Sequence, residues 1–214
     1  MSSSDRPAFD YGGIPIGYYD QMLRKGGGVR RLWHTLKFER VLDYLPEQDG
    51  GALLDVGCFA GSFLSMVPRH RFDRQVGIDI LPEQIAYANH HYGTAFRSFR
   101  QSGGITQFGD VGEPFDAITL IEVIEHLRPD EIVGLFSEFD RVLKPGGMLI
   151  VTTPNYTSTW PVLEQILNRM SDVSYEEQHI TRFTYFSFER QLAKIIPRVM
   201  HDYDIELKTT THFL

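Results

Sequence analysis

Apolar residues along the chain follow two spacings, and their alternation predicts the architecture. Short continuous apolar runs over 52–56, 75–79, 95–100, 116–121 and 147–153 read as buried strands. Between them, apolar residues at three- and four-residue spacing read as covering helices near 61–67, 83–91 and 130–143. In the last of these, Ile132, Val133, Leu135, Phe136, Phe139, Val142 and Leu143 form a core stripe. A further helix precedes the first strand, where apolar positions from Val29 to Leu45 recur mostly at helical spacing until Pro46 and Gly50-Gly51 end it. Tyr185 to Pro197 reads as another helix, and Asp204 to Phe213 as a strand on the far edge. Strands that lack polar alternation are covered on both faces, so the predicted fold is α/β, a doubly wound and mostly parallel sheet with helices on each side.

The most informative stretch is Leu53 to Leu64, a buried strand that enters a glycine-punctuated turn and then a helix. Glycine at Gly57 and Gly61 lets backbone N–H groups approach a ligand, because no Cβ stands in the way. The helix beginning near Gly61 points its positive end at the same spot. Asp79 closes the next strand, where a carboxylate accepts hydrogen bonds from both hydroxyls of a ribose. Together with Asp55, it favours a neutral or cationic nucleoside over a pyrophosphate.

Leu54-Asp55-Val56-Gly57-Cys58-x-x-Gly61, Gly77-Ile78-Asp79, Phe115-Asp116-Ala117-Ile118 and Leu143-Lys144-Pro145-Gly146-Gly147 resemble, in order and spacing, the class I S-adenosylmethionine-dependent methyltransferases. The resemblance implies a Rossmann-like sheet of six to seven strands with an antiparallel C-terminal edge, and S-adenosylmethionine as cofactor. It places the cofactor on Asp55, Gly57, Cys58, Phe59, Gly61, Asp79, Ile80 and Glu122, with Asp79 on the ribose, the turn 55–61 on the methionine moiety and Ile80 on the adenine. Phe59 departs from the family, which usually has a third glycine there. Two registers of the third strand are open. In one, Ala95 to Arg100 is the strand and Gln101 and Ser102 lie beside the adenine; in the other, Ile105 to Phe108 leads into Asp110 as the acidic adenine contact.

Length and charge narrow the classes. A chain of 214 residues suits one domain, 29–214, preceded by a segment over 1–28 rich in Gly, Ser, Pro and Tyr that reads as a lid, with Tyr18 and Tyr19 offering π-faces to a sulfonium. A formal net charge of -7 argues against a surface built to neutralise phosphates, although Arg24, Lys25, Arg30, Arg31, Lys37 and Arg40 form a local basic run that reads as a solvated helix face. The start of the chain lacks a signal-peptide core and no run is long and uncharged enough to span a bilayer, so a cytoplasmic location is expected. Cys58, the single cysteine, reads as a small packing residue.

Leu120 to Leu127 follows the fourth strand, at the edge where open α/β sheets bind ligands. If this segment is helical, Glu122, Glu125 and His126 share one face, and a later loop carries His179. In one reading His126, with Glu125, or His179 is a general base for a hydroxyl. In another, Glu122, Glu125, His126 and His179 hold a divalent metal that lowers the hydroxyl's pKa. A third, structural reading has the pair cap the following helix. The Glu-His pair resembles ubiquinone-pathway and other small-molecule O-methyltransferases; the full set resembles methyltransferases of the terminal 2′-hydroxyl of small RNAs. Thr152, Thr153, Asn155 and Tyr156 are candidates for the acceptor wall, and the stripe from Trp160 to Met170 for packing. The expected function is O-methylation of a small metabolite, sugar or lipid-linked acceptor. The alternatives are metal-dependent RNA 2′-O-methylation or a non-catalytic cofactor-binding scaffold.

Overall fold

The computed structural model describes residues 13–25, 28–155 and 180–206. Its elements in chain order are α1 (Tyr18–Lys25), α2 (Gly28–Tyr44), β1 (Ala52–Val56), α3 (Ser62–Met66), β2 (Arg74–Asp79), α4 (Pro82–Tyr92), β3 (Arg97–Gln101), β4 (Phe115–Ile121), α5 (Pro129–Val142), β5 (Leu143–Thr152), α6 (Phe188–Ile195) and α7 (Val199–Asp202). Among the described residues the strands form one sheet in the order β3-β2-β1-β4-β5, with every pairing parallel. The earlier register of the third strand is the one observed. Asp110 lies in a loop, where its carbonyl accepts from the Arg100 guanidinium at 2.7 Å.

The sheet has five strands among the described residues rather than six or seven. Residues 204–206 are not strand, and the rest of the expected antiparallel edge lies outside the described residues, as does the stripe from Trp160 to Met170. The motif Leu143 to Gly147 opens β5 with a bulge. Phe115 pairs with Leu143 but Ala117 with Met148, so the extra residues loop out at Gly146, which has φ 75°. Lys144 Nζ then reaches Asp116 Oδ1 at 2.8 Å.

Alternate residues of each strand face opposite sides of a pleat, and two cores result. Leu54, Val56, Ile78, Ile118 and Leu120 pack with Ile132, Leu135, Phe136 and Phe139 of α5. Leu53, Phe99 and Ala117 pack on the other face with Val41, Phe63, Leu64 and Ile85. The α5 stripe is therefore narrower than its sequence suggests, since Val133 is 43% exposed and Leu143 belongs to β5.

Within the N-terminal segment, Tyr18–Lys25 form α1, which is docked on the body of the domain. Asp20 on α1 is buried and accepts hydrogen bonds from Arg24 Nε (3.0 Å), Ser62 Oγ (2.9 Å), Tyr87 OH (3.0 Å) and Tyr92 OH (2.6 Å), which clamps α1 to α3 and α4. Burial alone pushes this carboxyl up, but the three hydroxyl bonds and Arg24 outweigh it and hold it below its ordinary range. Arg24 thus leaves the basic run to serve the clamp.

Asp20→Ala strips these donors of their acceptor. Tryptic cleavage after Arg24 or Lys25 is expected to accelerate by about tenfold or more through local opening, while far-UV circular dichroism of the sheet is retained. Unchanged cleavage would show that α1 is held by packing instead.

Candidate functional site

Strand order reverses direction between β1 and β4, and the crevice outside their carboxyl ends is the position where such sheets take ligands. The parallel register sets Val56 beside Leu120, so the turn after β1 and the turn after β4 leave the sheet side by side. Gly57 N–H and Cys58 N–H both donate to Ile78 O, at 2.9 and 3.0 Å, which folds the first turn toward β2. Gly57 has φ 73°, and a Cβ there would lie 2.6 Å from Val123 Cγ2. The two turns therefore touch at a point that only glycine permits.

Phe59 occupies the departure from the family pattern, and its φ of 46° is the left-handed conformation for which glycine is ordinarily used. Its N–H donates to Asp79 Oδ2 at 2.9 Å, and its ring meets Tyr19 edge-on at 5.1 Å. Leu81 N–H donates to Asp79 Oδ1 at 3.0 Å. Each carboxylate oxygen of Asp79 is thus oriented by one backbone donor and retains lone pairs for a diol. Burial raises the Asp79 pKa, with hydrogen bonds from Leu81, Phe59 and Ile80 opposing it. Ser102 N–H donates to Asp79 O at 2.9 Å and Gln101 Nε2 to Ile80 O at 3.3 Å, so both lie next to the acid, with Ile80 45% exposed. These features fit a nucleoside cofactor such as S-adenosylmethionine.

Two further groups of the turn are buried. Burial pushes the Cys58 thiol well up, with Asp79 and Asp55 adding to the effect, so it stays protonated and packs. Burial also pushes the Asp55 carboxyl up to about 7, against the 2.7 Å hydrogen bond that Thr119 Oγ1 donates to its Oδ1 and with a further push from Asp79.

The second turn is not the regular helix that the spacing suggests. Glu122 has φ 55°, and a single 3₁₀ turn over Ile124–His126 follows. The left-handed residue breaks the helical register, so Glu122 does not share a helix face with Glu125 and His126. The carboxylates of Glu122 and Glu125 nevertheless interact. Burial first, then the Glu122 charge, pushes the Glu125 pKa well up, while Thr153 and Lys37 oppose it. Glu125 is 1% exposed, and neither its Oε2 nor the neighbouring Thr153 Oγ1, also buried, forms a well-made hydrogen bond in the structure. His126 Nε2 lies 3.9 Å from Glu125 Oε1. Ile180 N–H and Thr181 N–H donate to Glu125 O at 2.8 and 2.9 Å, docking the later loop on this turn. His179 and Tyr156 lie outside the described residues. Among the described residues no group of three or more metal-ligating side chains is assembled.

Sequence reasoning missed Lys37, which it read only as part of a basic run. Lys37 is half-buried with its ammonium toward Glu122 and Glu125; desolvation lowers its pKa, against the opposing pull of the two carboxylates. A lysine between apolar positions of an amphipathic helix carries no sequence signal for the direction it takes. Thr119 was legible in principle, being a hydroxyl inside an apolar strand and paired in register with Asp55.

Residues 30–195 match a family model described as a methyltransferase domain. The chain is similar to the ubiquinone biosynthesis O-methyltransferase of Azorhizobium caulinodans, with 34% identity over 67% of this chain and 52% of that protein. It is also similar to the small RNA 2′-O-methyltransferase of Arabidopsis thaliana, with 25% identity over 95% of this chain and 23% of that protein. The chain spans about half the length of the ubiquinone-pathway relatives it matches. A Haloferax volcanii complex of the Trm112 methyltransferase activator with its methyltransferase shares the fold, with a TM-score of 0.62 at 21% identity over 84% of this chain and 72% of that one.

Two outcomes follow from this geometry. Asp79→Ala should lower S-adenosylhomocysteine affinity by at least about tenfold by calorimetry while the far-UV spectrum is kept; unchanged affinity would remove Asp79 from the ribose. Asp55, at about 7 when folded against about 3.9 when unfolded, keeps its proton in the native state after the unfolded chain has lost it. Stability is therefore lost as pH rises from about 4 to about 7 and levels off above that. In urea denaturation across this range, Asp55→Asn should gain on the wild type as pH rises; a constant difference would show that Asp55 is ionised in the fold.

Proposed function

The chain belongs to the class I S-adenosylmethionine-dependent methyltransferases, by its methyltransferase-domain match, and from that premise we propose that it methylates a hydroxyl oxygen of a small metabolite, sugar or lipid-linked acceptor. The observation that carries this reading is the direct packing of Val123 on Gly57, which sets the Glu122–His126 turn against the cofactor turn. S-adenosylmethionine supplies, when bound, an electrophilic methyl group on a sulfonium leaving group. The chain's residues then have three tasks. Asp79 holds the ribose, the turn 55–61 and Glu122 hold the methionine end, and Ile80 covers the adenine. An imidazole nitrogen of His126 takes the acceptor hydroxyl's proton as the oxygen forms its bond to the methyl carbon and the carbon–sulfur bond breaks; the products are a methyl ether and S-adenosylhomocysteine. Glu125 lies beside the imidazole and stabilises the imidazolium that results. Residues 1–28 act as a lid, with α1 and its Tyr18 and Tyr19 as the docked part that shields the methionine end.

A second reading is favoured by one observation: similarity to the small RNA 2′-O-methyltransferase runs through 95% of this chain, against 67% for the ubiquinone-pathway relative. In it, Glu122, Glu125, His126 and His179 hold a divalent cation, which polarises the ribose hydroxyl when bound. The buried, unpartnered Oε2 of Glu125 fits such a group.

The test is methyl transfer from labelled S-adenosylmethionine to catechol and to a single-stranded RNA, each with EDTA and with Mg²⁺ or Mn²⁺. On the first reading catechol turnover survives EDTA, and His126→Ala lowers kcat by about 10²- to 10⁴-fold at unchanged S-adenosylhomocysteine affinity. RNA turnover that EDTA abolishes and Mg²⁺ or Mn²⁺ restores supports the second. Cofactor binding without turnover of either acceptor would leave the scaffold.

A further inference from the structure

Glu122 leaves β4 with φ 55°, a left-handed conformation that is strained for a glutamate and persists only where its surroundings over-determine it. Among the described residues, its backbone and carboxylate are hydrogen-bonded by Thr152. Glu122 N–H donates to Thr152 O at 3.2 Å and to Thr152 Oγ1 at 3.1 Å, and Thr152 Oγ1 donates to Glu122 Oε1 at 2.9 Å. We propose that Thr152 is the positioning residue for the carboxylate of Glu122, a single hydroxyl that fixes both its backbone and its side chain. The proposal rests on the methyltransferase reading only for its consequence in catalysis.

A hydroxyl has one proton and two lone pairs. At Thr152 the proton goes to the carboxylate and a lone pair takes the N–H, so the same atom ties the carboxylate to its own backbone amide. Ile121 pairs with Thr152 as the last step of the β4–β5 ladder, which puts the hydroxyl at the point where Glu122 departs. The branched Cβ restricts χ1, so the direction of the hydroxyl is set by the strand itself. Rotation of the Glu122 carboxylate away from the site breaks the 2.9 Å bond, and relaxation of φ breaks the 3.1 Å bond. Val123, the next residue, rests on Gly57, so the hydroxyl also sets the spacing between the acceptor turn and the cofactor turn. Packing alone would ask only for a β-branched side chain of this size, which valine also supplies.

The full chain is compared as wild type, Thr152→Val and Thr152→Ser. Amide hydrogen exchange at Glu122, read by NMR with S-adenosylhomocysteine present and absent, is expected to accelerate by about tenfold or more in Thr152→Val and to stay within about threefold of wild type in Thr152→Ser. Core amides such as that of Leu54 keep wild-type exchange in both variants. With catechol or RNA as acceptor, whichever the wild type methylates, kcat/KM for S-adenosylmethionine falls by about tenfold or more in Thr152→Val and stays within about threefold of wild type in Thr152→Ser. Wild-type exchange at Glu122 in Thr152→Val, exchange in Thr152→Ser as fast as in Thr152→Val, or an unchanged kcat/KM for S-adenosylmethionine in Thr152→Val overturns the proposal. A wild-type chain that does not bind S-adenosylhomocysteine overturns the methyltransferase reading instead, and the exchange comparison still decides the role of Thr152.

Discussion

The parallel pairing of β1 with β4 is the constraint on which the site depends. Neighbouring parallel strands present their carboxyl ends on one edge, and the register of Val56 with Leu120 brings the two following turns into contact within a residue or two of the sheet. Everything the site needs from distant parts of the chain is delivered through that edge. The glycine turn comes from β1, the carboxylate of Asp79 from β2, the acidic turn from β4 and the threonines from β5.

Both non-glycine residues with left-handed backbone among the described residues, Phe59 and Glu122, lie on these two turns. Each is held by hydrogen bonds from a neighbouring strand, Phe59 by Asp79 and Glu122 by Thr152. Strain of this kind is stored where function needs a side chain aimed against its local preference. The rest of the described chain is conformationally ordinary, so the strain is concentrated where the β-strands hand over to loops.

Electrostatics divide the site in the same way. Asp55, Asp79 and Glu125 are buried and pushed up, Glu125 in part by the charge of Glu122, which Lys37 opposes. Acidic groups thus surround the crevice on both sides. That pattern suits a cofactor that carries a sulfonium and an amino group, and is costly for a pyrophosphate. Asp20 contrasts with these groups. Equally buried, it is kept below its ordinary range by the hydroxyls of Tyr92, Ser62 and Tyr87 and by Arg24, which tie α1 to its neighbours.

Sequence alone determined the strands, the covering helices and the glycine turn after β1, because each depends on local rules. Unbroken apolar runs become two-faced strands, and glycine or an acidic residue at a strand end marks a turn or a ribose contact. Asp55, Gly57, Gly61 and Asp79 were legible for that reason, and the five observed strands match the predicted runs to within a few residues, β5 differing most because its bulge extends it by four residues at the start. Tertiary structure decided what depends on contacts between elements far apart in the chain. The apparent helix face of Glu122, Glu125 and His126 gave way to a left-handed residue and a 3₁₀ turn, since Thr152, thirty residues on, outbids local helix geometry. Lys37 turned from a solvated run toward the carboxylates, and Asp20 tied α1 to α3 and α4. No local pattern encodes these partners, because each is chosen by the packing of the sheet and helices and not by the residues beside it in the chain.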